Sequence, residues 1–201
     1  MNLDQVAPIV AIVLVGMVPR AMPLISAATG ELVDQSAGIL NLGVEGLMLI
    51  GAVVGFFADF YTGNVALAFF LAGLAGSLIS MLHAFASVSL KADQVVSGTA
   101  LWFIGWGLSG VIYRALFGKY LVPPTISPLP HLNIPYLTSV PVIGPIIFGQ
   151  DAVAYFIIAG LIATHYCLFH TQVGLNLRAV GEGESGMWFT AVYIHGVSWA
   201  M

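Results

Sequence analysis

The chain has 201 residues, of which 59% are hydrophobic and only 7% charged, with a mean hydropathy of +0.99 and a formal net charge of −4. An ordinary soluble domain carries about 25% charged residues, so this inventory cannot cover a soluble surface, and no basic run points to nucleic acid. The expected fold is all-α, a polytopic transmembrane helical bundle of about five spans with a discontinuous polar segment after the first.

The N-terminus, MNLDQVAPIV, lacks a positively charged start and a small-residue cleavage site, so the first apolar run, Val6 to Ala28, is read as a retained span. Pro19 and Pro23 each remove a backbone donor and crowd the preceding turn, which predicts a kink or break at the end of this helix. Arg20, between them, either snorkels to an interface or pairs with a nearby carboxylate.

The stretch from Gly30 to Gly46, GELVDQSAGILNLGVEG, follows. It holds Glu31, Asp34, Glu45, Asn41 and four glycines between two long apolar runs. A polar, glycine-broken segment at membrane depth is tolerated only where protein or an aqueous cavity satisfies its backbone. If Asn41 starts the second helix, it stacks one turn from Glu45, and the pair could bind a polar solute or a cation. Glu31 and Asp34 share a face if the bend is helical, whereas Gly30 makes a turn equally open. An ionisable residue in a membrane is a functional hypothesis by default; the competing reading is that Glu45 is neutralised by burial or by Arg20.

Leu42 to Phe60 is the second run; Gly43, Gly46, Gly51 and Gly55 open its surface for close approach, with Gly51 and Gly55 as a GxxxG pair, and Asp59 to Asn64 supplies a turn. Val65 to Leu90 is the third, with Ala72, Gly76 and Ser80 on one face. After Lys91 and Asp93, Val95 to Leu116 is the fourth. Gln94, Ser97 and Thr99 at its entrance either cap the helix or face a pathway. Residues 117–150 carry seven of the ten prolines and are expected to form extended segments and turns, as an extramembrane loop or re-entrant flap.

Asp151 to His170 is the fifth run, ending in His165 and His170. Five residues apart, these do not share a helical face, and with His83, His131 and His195 they form no ligand spacing, so no metal site and no cofactor is expected. The single cysteine, Cys167, is read as a small core residue. Thr171 to Glu184 turns polar again, and Met187 to Met201 is too short for a further span. With spans alternating, Lys91 and Arg178 fall on one side, taken as cytoplasmic, which puts the N-terminus outside and leaves Arg114 and Lys119 at the opposite end. No GxSxG elbow, HExxH pair or Walker loop is present, so no enzyme active site can be placed.

Three motifs taken together, AATGELVDQSAGILNLGVEGLMLIGAVVGF (Ala27 to Phe56), KADQVVSGTAL (Lys91 to Leu101) and VGLNLRAVGE (Val173 to Glu182), resemble the permease subunits of bacterial ABC importers. The group is the one serving branched-chain amino acids, ribose-type sugars and nucleosides, and the NLGVEG form is most similar to the nucleoside branch. The resemblance implies a multi-pass protein of the cell inner (plasma) membrane that pairs with a second permease subunit, two cytoplasmic ATP-binding subunits and an extracytoplasmic solute-binding protein, with membrane lipid around it. ATP hydrolysis is then expected in a separate subunit.

By the same resemblance, residues 171–186 are a cytoplasmic coupling segment, with Gly174, Leu175, Asn176, Leu177, Arg178, Ala179, Val180, Gly181 and Glu182 meeting the ATPase. Asn41, Glu45, Gln94 and Ser97 are assigned to the substrate path, and transport is expected to proceed by alternating access. After Glu182 the chain departs from the family pattern and stops. Residues 1–201 are therefore expected to be a single permease domain that is C-terminally truncated, the N-terminal part of a longer family domain. The alternatives are a sugar or branched-chain amino acid importer permease, an ion or small-solute channel with Glu45 setting cation preference, and a non-transporting remnant.

Overall fold

The computed structural model describes residues 3–118, 124–129, 132 and 143–183. Every element among them is a helix: α1 (Leu3–Ser36), α2 (Val44–Thr62), α3 (Val65–Ala84) extended by a π turn (Phe85–Ser89), α4 (Gln94–Phe117), α5 (Ile143–Phe148), α6 (Ala152–His170) and α7 (Gln172–Gly181). Five stretches of the described residues are long and apolar enough to cross a membrane: Val13–Ser36, Val44–Thr62, Val65–Ser89, Gln94–Phe117 and Ala152–His170. At about 1.5 Å per residue even the 19-residue helices match a hydrocarbon core of about 30 Å.

α1 corrects one expectation. It runs unbroken through Pro19 and Pro23 and on past Glu31 and Asp34, so these two carboxylates lie on a helix and not on a turn at Gly30. Each proline forfeits one hydrogen bond, but abandoning the helix in hydrocarbon would strand many more backbone groups. Arg20 sits in the disturbed turn, where its Nη1 donates to the carbonyl of Gly16 at 2.6 Å.

The described chain forms two compact units. One contains the described residues between 34 and 127, with α2, α3, the π turn and α4, together with the end of α7 and the two residues after it, 179–183. Its helix ends are set by local chemistry. Gly63, at φ 61°, closes α2 with its N–H on the Asp59 carbonyl, Asn64 caps α3 by accepting from the Leu67 N–H, and Asp93 caps α4 by accepting from the Val96 N–H.

α2 packs against both α3 and α4. Gly55 meets Ala72 and Ala68 of α3, so the Gly51–Gly55 pair does serve close packing, although Gly76 of the expected α3 stripe meets nothing within 4 Å. The tightest approach is on the other side of α2. A Cβ on Gly105 would overlap the backbone of Gly46, and one on Gly46 would come within 2.8 Å of the Leu101 carbonyl oxygen. Toward the other end of the two helices, Phe56, Phe60, Tyr113 and Phe117 form an aromatic cluster, with Phe117 edge-on to Phe56 at 5.3 Å and to Phe60 at 5.2 Å. Contacting positions rise together along both helices, so α2 and α4 run parallel, as two spans separated by one return span must.

The second unit holds residues 3–33 of α1, α5, α6 and α7 as far as Arg178. Asp151 caps α6 by accepting from the Ala154 N–H at 2.8 Å, and Tyr155 ties α6 to α5 through the Ile147 carbonyl. α5 places a short helix where only extended chain and turns were expected. Lys119, His131 and residues 184–201, including His195, lie outside the described residues.

Candidate functional site

The gap between α1 and α2 is built residue by residue. α1 ends in a Schellman motif: the Ile39 N–H donates to the Asp34 carbonyl and the Gly38 N–H to the Gln35 carbonyl, each at 3.0 Å, which requires the left-handed backbone that Gly38 adopts at φ 81°. The Leu40 N–H then donates to Gln94 Oε1 at 2.7 Å, and Gln94 Nε2 donates to the Gly38 carbonyl at 3.3 Å. Asn41, 3% exposed, accepts from the Gly43 N–H at 2.9 Å through its Oδ1. A break in a membrane helix needs its backbone groups satisfied within the protein, and here two side-chain amides do much of that work.

The predicted stacking of Asn41 on Glu45 is not formed. α2 begins at Val44, so Asn41 lies before the helix, buried, while Glu45 is exposed in its first turn. A carboxylate there complements the partial positive charge of the helix N-terminus.

At the entrance to α4 the polar residues divide their tasks. Asp93 does the capping, Gln94 reaches across to the break, Thr99 bonds back to the carbonyls of Val95 and Val96, and Ser97 turns toward α3. Ser97 Oγ lies 3.2 Å from His83 Nδ1 and 3.2 Å from Ser87 Oγ, which in turn lies 3.4 Å from His83 Nε2. His83 and Ser87 are buried. His83 is thus hydrogen-bonded through both ring nitrogens, one of them to Ser87, which was not anticipated. The cue was the four-residue spacing of His83 and Ser87, which puts them on one face, although the π turn that carries Ser87 has no sequence signature.

The close approach at Gly43 and Gly46 was expected, but the α4 glycines that meet them were not. A Cβ on Gly98 would fall 2.7 Å from the Leu42 nitrogen, and one on Gly43 would fall 2.9 Å from the Gly98 carbonyl oxygen. Gly98 and Gly105 are seven residues apart, two helical turns, so they form one bare face on α4 against which the break and the start of α2 lie.

α7 contains all of the expected coupling residues from Gly174 to Gly181, with Glu182 in the turn that follows; residues 184–186 of that segment lie outside the described residues. Its corner with α6 is close. Thr171 Oγ1 donates to the Cys167 carbonyl and accepts from the Gly174 N–H, and a Cβ on Gly174 would overlap the backbone of Cys167 and Leu168. The Arg178 guanidinium sits 5.0 Å from the Phe169 ring centroid, and its Nε is buried without a hydrogen-bond partner among the described residues. Cys167 is exposed at this corner and not a core residue. At its far end, α7 meets the break: a Cβ on Gly38 would stand 3.1 Å from the Gly181 Cα. The three motifs, far apart in sequence, therefore meet at one end of the first unit.

Five apolar helices of span length and a polar break clamped from a neighbouring helix define a multi-pass membrane protein. The chain belongs to the family described as branched-chain amino acid transport system / permease component, which matches residues 11–201. The match runs through the segment after Glu182, so the apparent departure from the family pattern there is corrected.

Among curated proteins, the chain is 37% identical over 82% of its length to TsgC13 of Haloferax volcanii, whose name provisionally assigns it as a glucose ABC transporter permease protein. It is 33% identical over 94% of its length to the nucleoside ABC transporter permease protein NupC of Lactococcus lactis, and 34% identical over 89% to the guanosine ABC transporter permease protein NupQ of Bacillus subtilis. The chain spans 50%, 62% and 58% of those relatives' lengths, respectively. No solved structure matches it.

Proposed function

We propose that the chain is the membrane-spanning permease subunit of an ATP-driven importer and that its solute is a nucleoside. The observation that carries this reading is the similarity to NupC and NupQ across nearly the whole chain. Residues 1–201 belong to one permease domain, which pairs with a second permease subunit. Cytoplasmic ATP-binding subunits supply the ATPase activity, and an extracytoplasmic binding protein delivers solute. Transport follows alternating access, in which ATP acts by interacting differently with two conformations.

Glu45, exposed at the mouth of α2, faces the substrate path, and Asn41, Gln94 and Ser97 shape its wall. Residues Gly174 to Glu182 dock on the ATPase, with the terminal nitrogens of Arg178 making charge-assisted hydrogen bonds. The similarity to TsgC13 favours glucose as the second reading.

The test is uptake of radiolabelled guanosine, glucose and leucine by cells expressing the complete operon. Guanosine uptake that unlabelled nucleosides abolish is expected; saturable glucose uptake insensitive to nucleosides would replace the first reading with the second. Current through proteoliposomes without any transported solute, abolished by Glu45→Gln, would instead identify a channel.

A further inference from the structure

α7 ends on the break itself. A Cβ on Gly181 would overlap the Ser36 carbonyl oxygen and stand 2.9 Å from the Gly38 nitrogen. Two stretches of backbone therefore touch with no side chain between them, and close-packed protein of low compressibility transmits displacement across such a contact. The break is also gripped by Gln94, which accepts from the Leu40 N–H and donates to the Gly38 carbonyl. Gln94 lies in the first turn of α4, and Ser97 in the same turn is joined to His83 and Ser87 of α3 and its π turn. Both ends of the Gln94 amide are thus engaged with backbone.

We propose that Gly181, Gly38 and Gln94 form a mechanical joint in which Gln94 holds the break between α1 and α2 rigid, so that movement of α7 is passed through Gly181 to the break and onward to α4. Gln94 is then a positioning residue for the break and not a ligand for solute. The proposal rests on the reading of α7 as the segment that docks on the ATPase.

The experiment is hydrogen exchange on the protein assembled with its ATPase partner in nanodiscs, with and without a non-hydrolysable ATP analogue. The wild type is expected to change its exchange at both residues 172–181 and residues 37–43 when the analogue binds. Gln94→Leu is expected to keep the change at 172–181 and lose it at 37–43, whereas Gln94→Glu, which retains the acceptor for the Leu40 N–H, keeps a response at both. An undiminished response of 37–43 in Gln94→Leu would overturn the joint while leaving the docking of α7 intact. A wild-type complex whose α7 ignores the analogue would overturn the underlying reading as well.

Should Gln94→Leu not assemble, Gly181→Ala provides a second test. Its methyl group must displace Ser36 and Gly38, so exchange at 37–43 is expected to rise several-fold even without nucleotide; exchange equal to the wild type would count against the joint.

Discussion

Gln94 and Asn41 are polar residues at membrane depth that the sequence marks as candidates for touching solute, and both spend amide groups on backbone. The distinction has measurable consequences. Asn41→Ala removes the acceptor for the Gly43 N–H and is expected to lower stability by about 1 to 3 kcal/mol, the usual effect of stranding a buried donor, seen as a lower melting temperature in detergent. Ser97→Ala should act in the same range, about 1 to 3 kcal/mol, because His83 loses a buried partner. Glu45→Gln should behave differently: losing a helix-terminal charge costs only about 0.3 to 1 kcal/mol, whereas uptake should fall by an order of magnitude or more if the carboxylate faces the substrate path. A variant with a near-normal melt and near-normal uptake would remove Glu45 from the path.

Helix positions were largely legible because hydropathy over a span length is a strong, local signal. The runs Leu42 to Phe60 and Asp151 to His170 correspond within two residues to α2 and α6. What failed was local chemistry that surroundings override. Pro19 and Pro23 would end a helix in water, where exposed backbone can bond to solvent, but not in a medium that offers no such partner. The π turn was equally hidden, since nothing in FASVS distinguishes it from ordinary helix. Likewise, glycines along α4 look alike in sequence, yet only some are needed. Gly105→Ala is expected to force α4 away from Gly46 and destabilise the protein by about 1 to 3 kcal/mol, as overpacking does. Gly107→Ala, with nothing within 4 Å of the new methyl, should be neutral or slightly stabilising, through the better helix propensity of alanine. Thermal melts of the two variants side by side check this.

Across the whole molecule, the family was readable from three short motifs, but their convergence was not. Gly38, Gln94 and Gly181 are separated by 56 residues in one step and by a still longer stretch in the next, and no local pattern reports a contact of that range. The convergence also bears on orientation. If α7 is cytoplasmic, the break and the Lys91 link lie at the same face. A single-cysteine protein carrying Cys167→Ser and Asn176→Cys, the latter at an exposed position on α7, should react with a membrane-impermeant maleimide in inside-out vesicles and not in right-side-out ones. The opposite labelling pattern would invert the topology.

The pairing of α2 with α4 has a further consequence. The two helices are fastened at two places, the bare glycine crossing at Gly46 and Gly105 and the aromatic cluster around Phe117. Gly46 and Phe60 are fourteen residues apart on α2, about 21 Å along its axis. A pair of rods pinned at both places can tilt together but cannot open like scissors. Any widening of a passage beside them must therefore occur along some other seam, with α2 and α4 swinging as one strut.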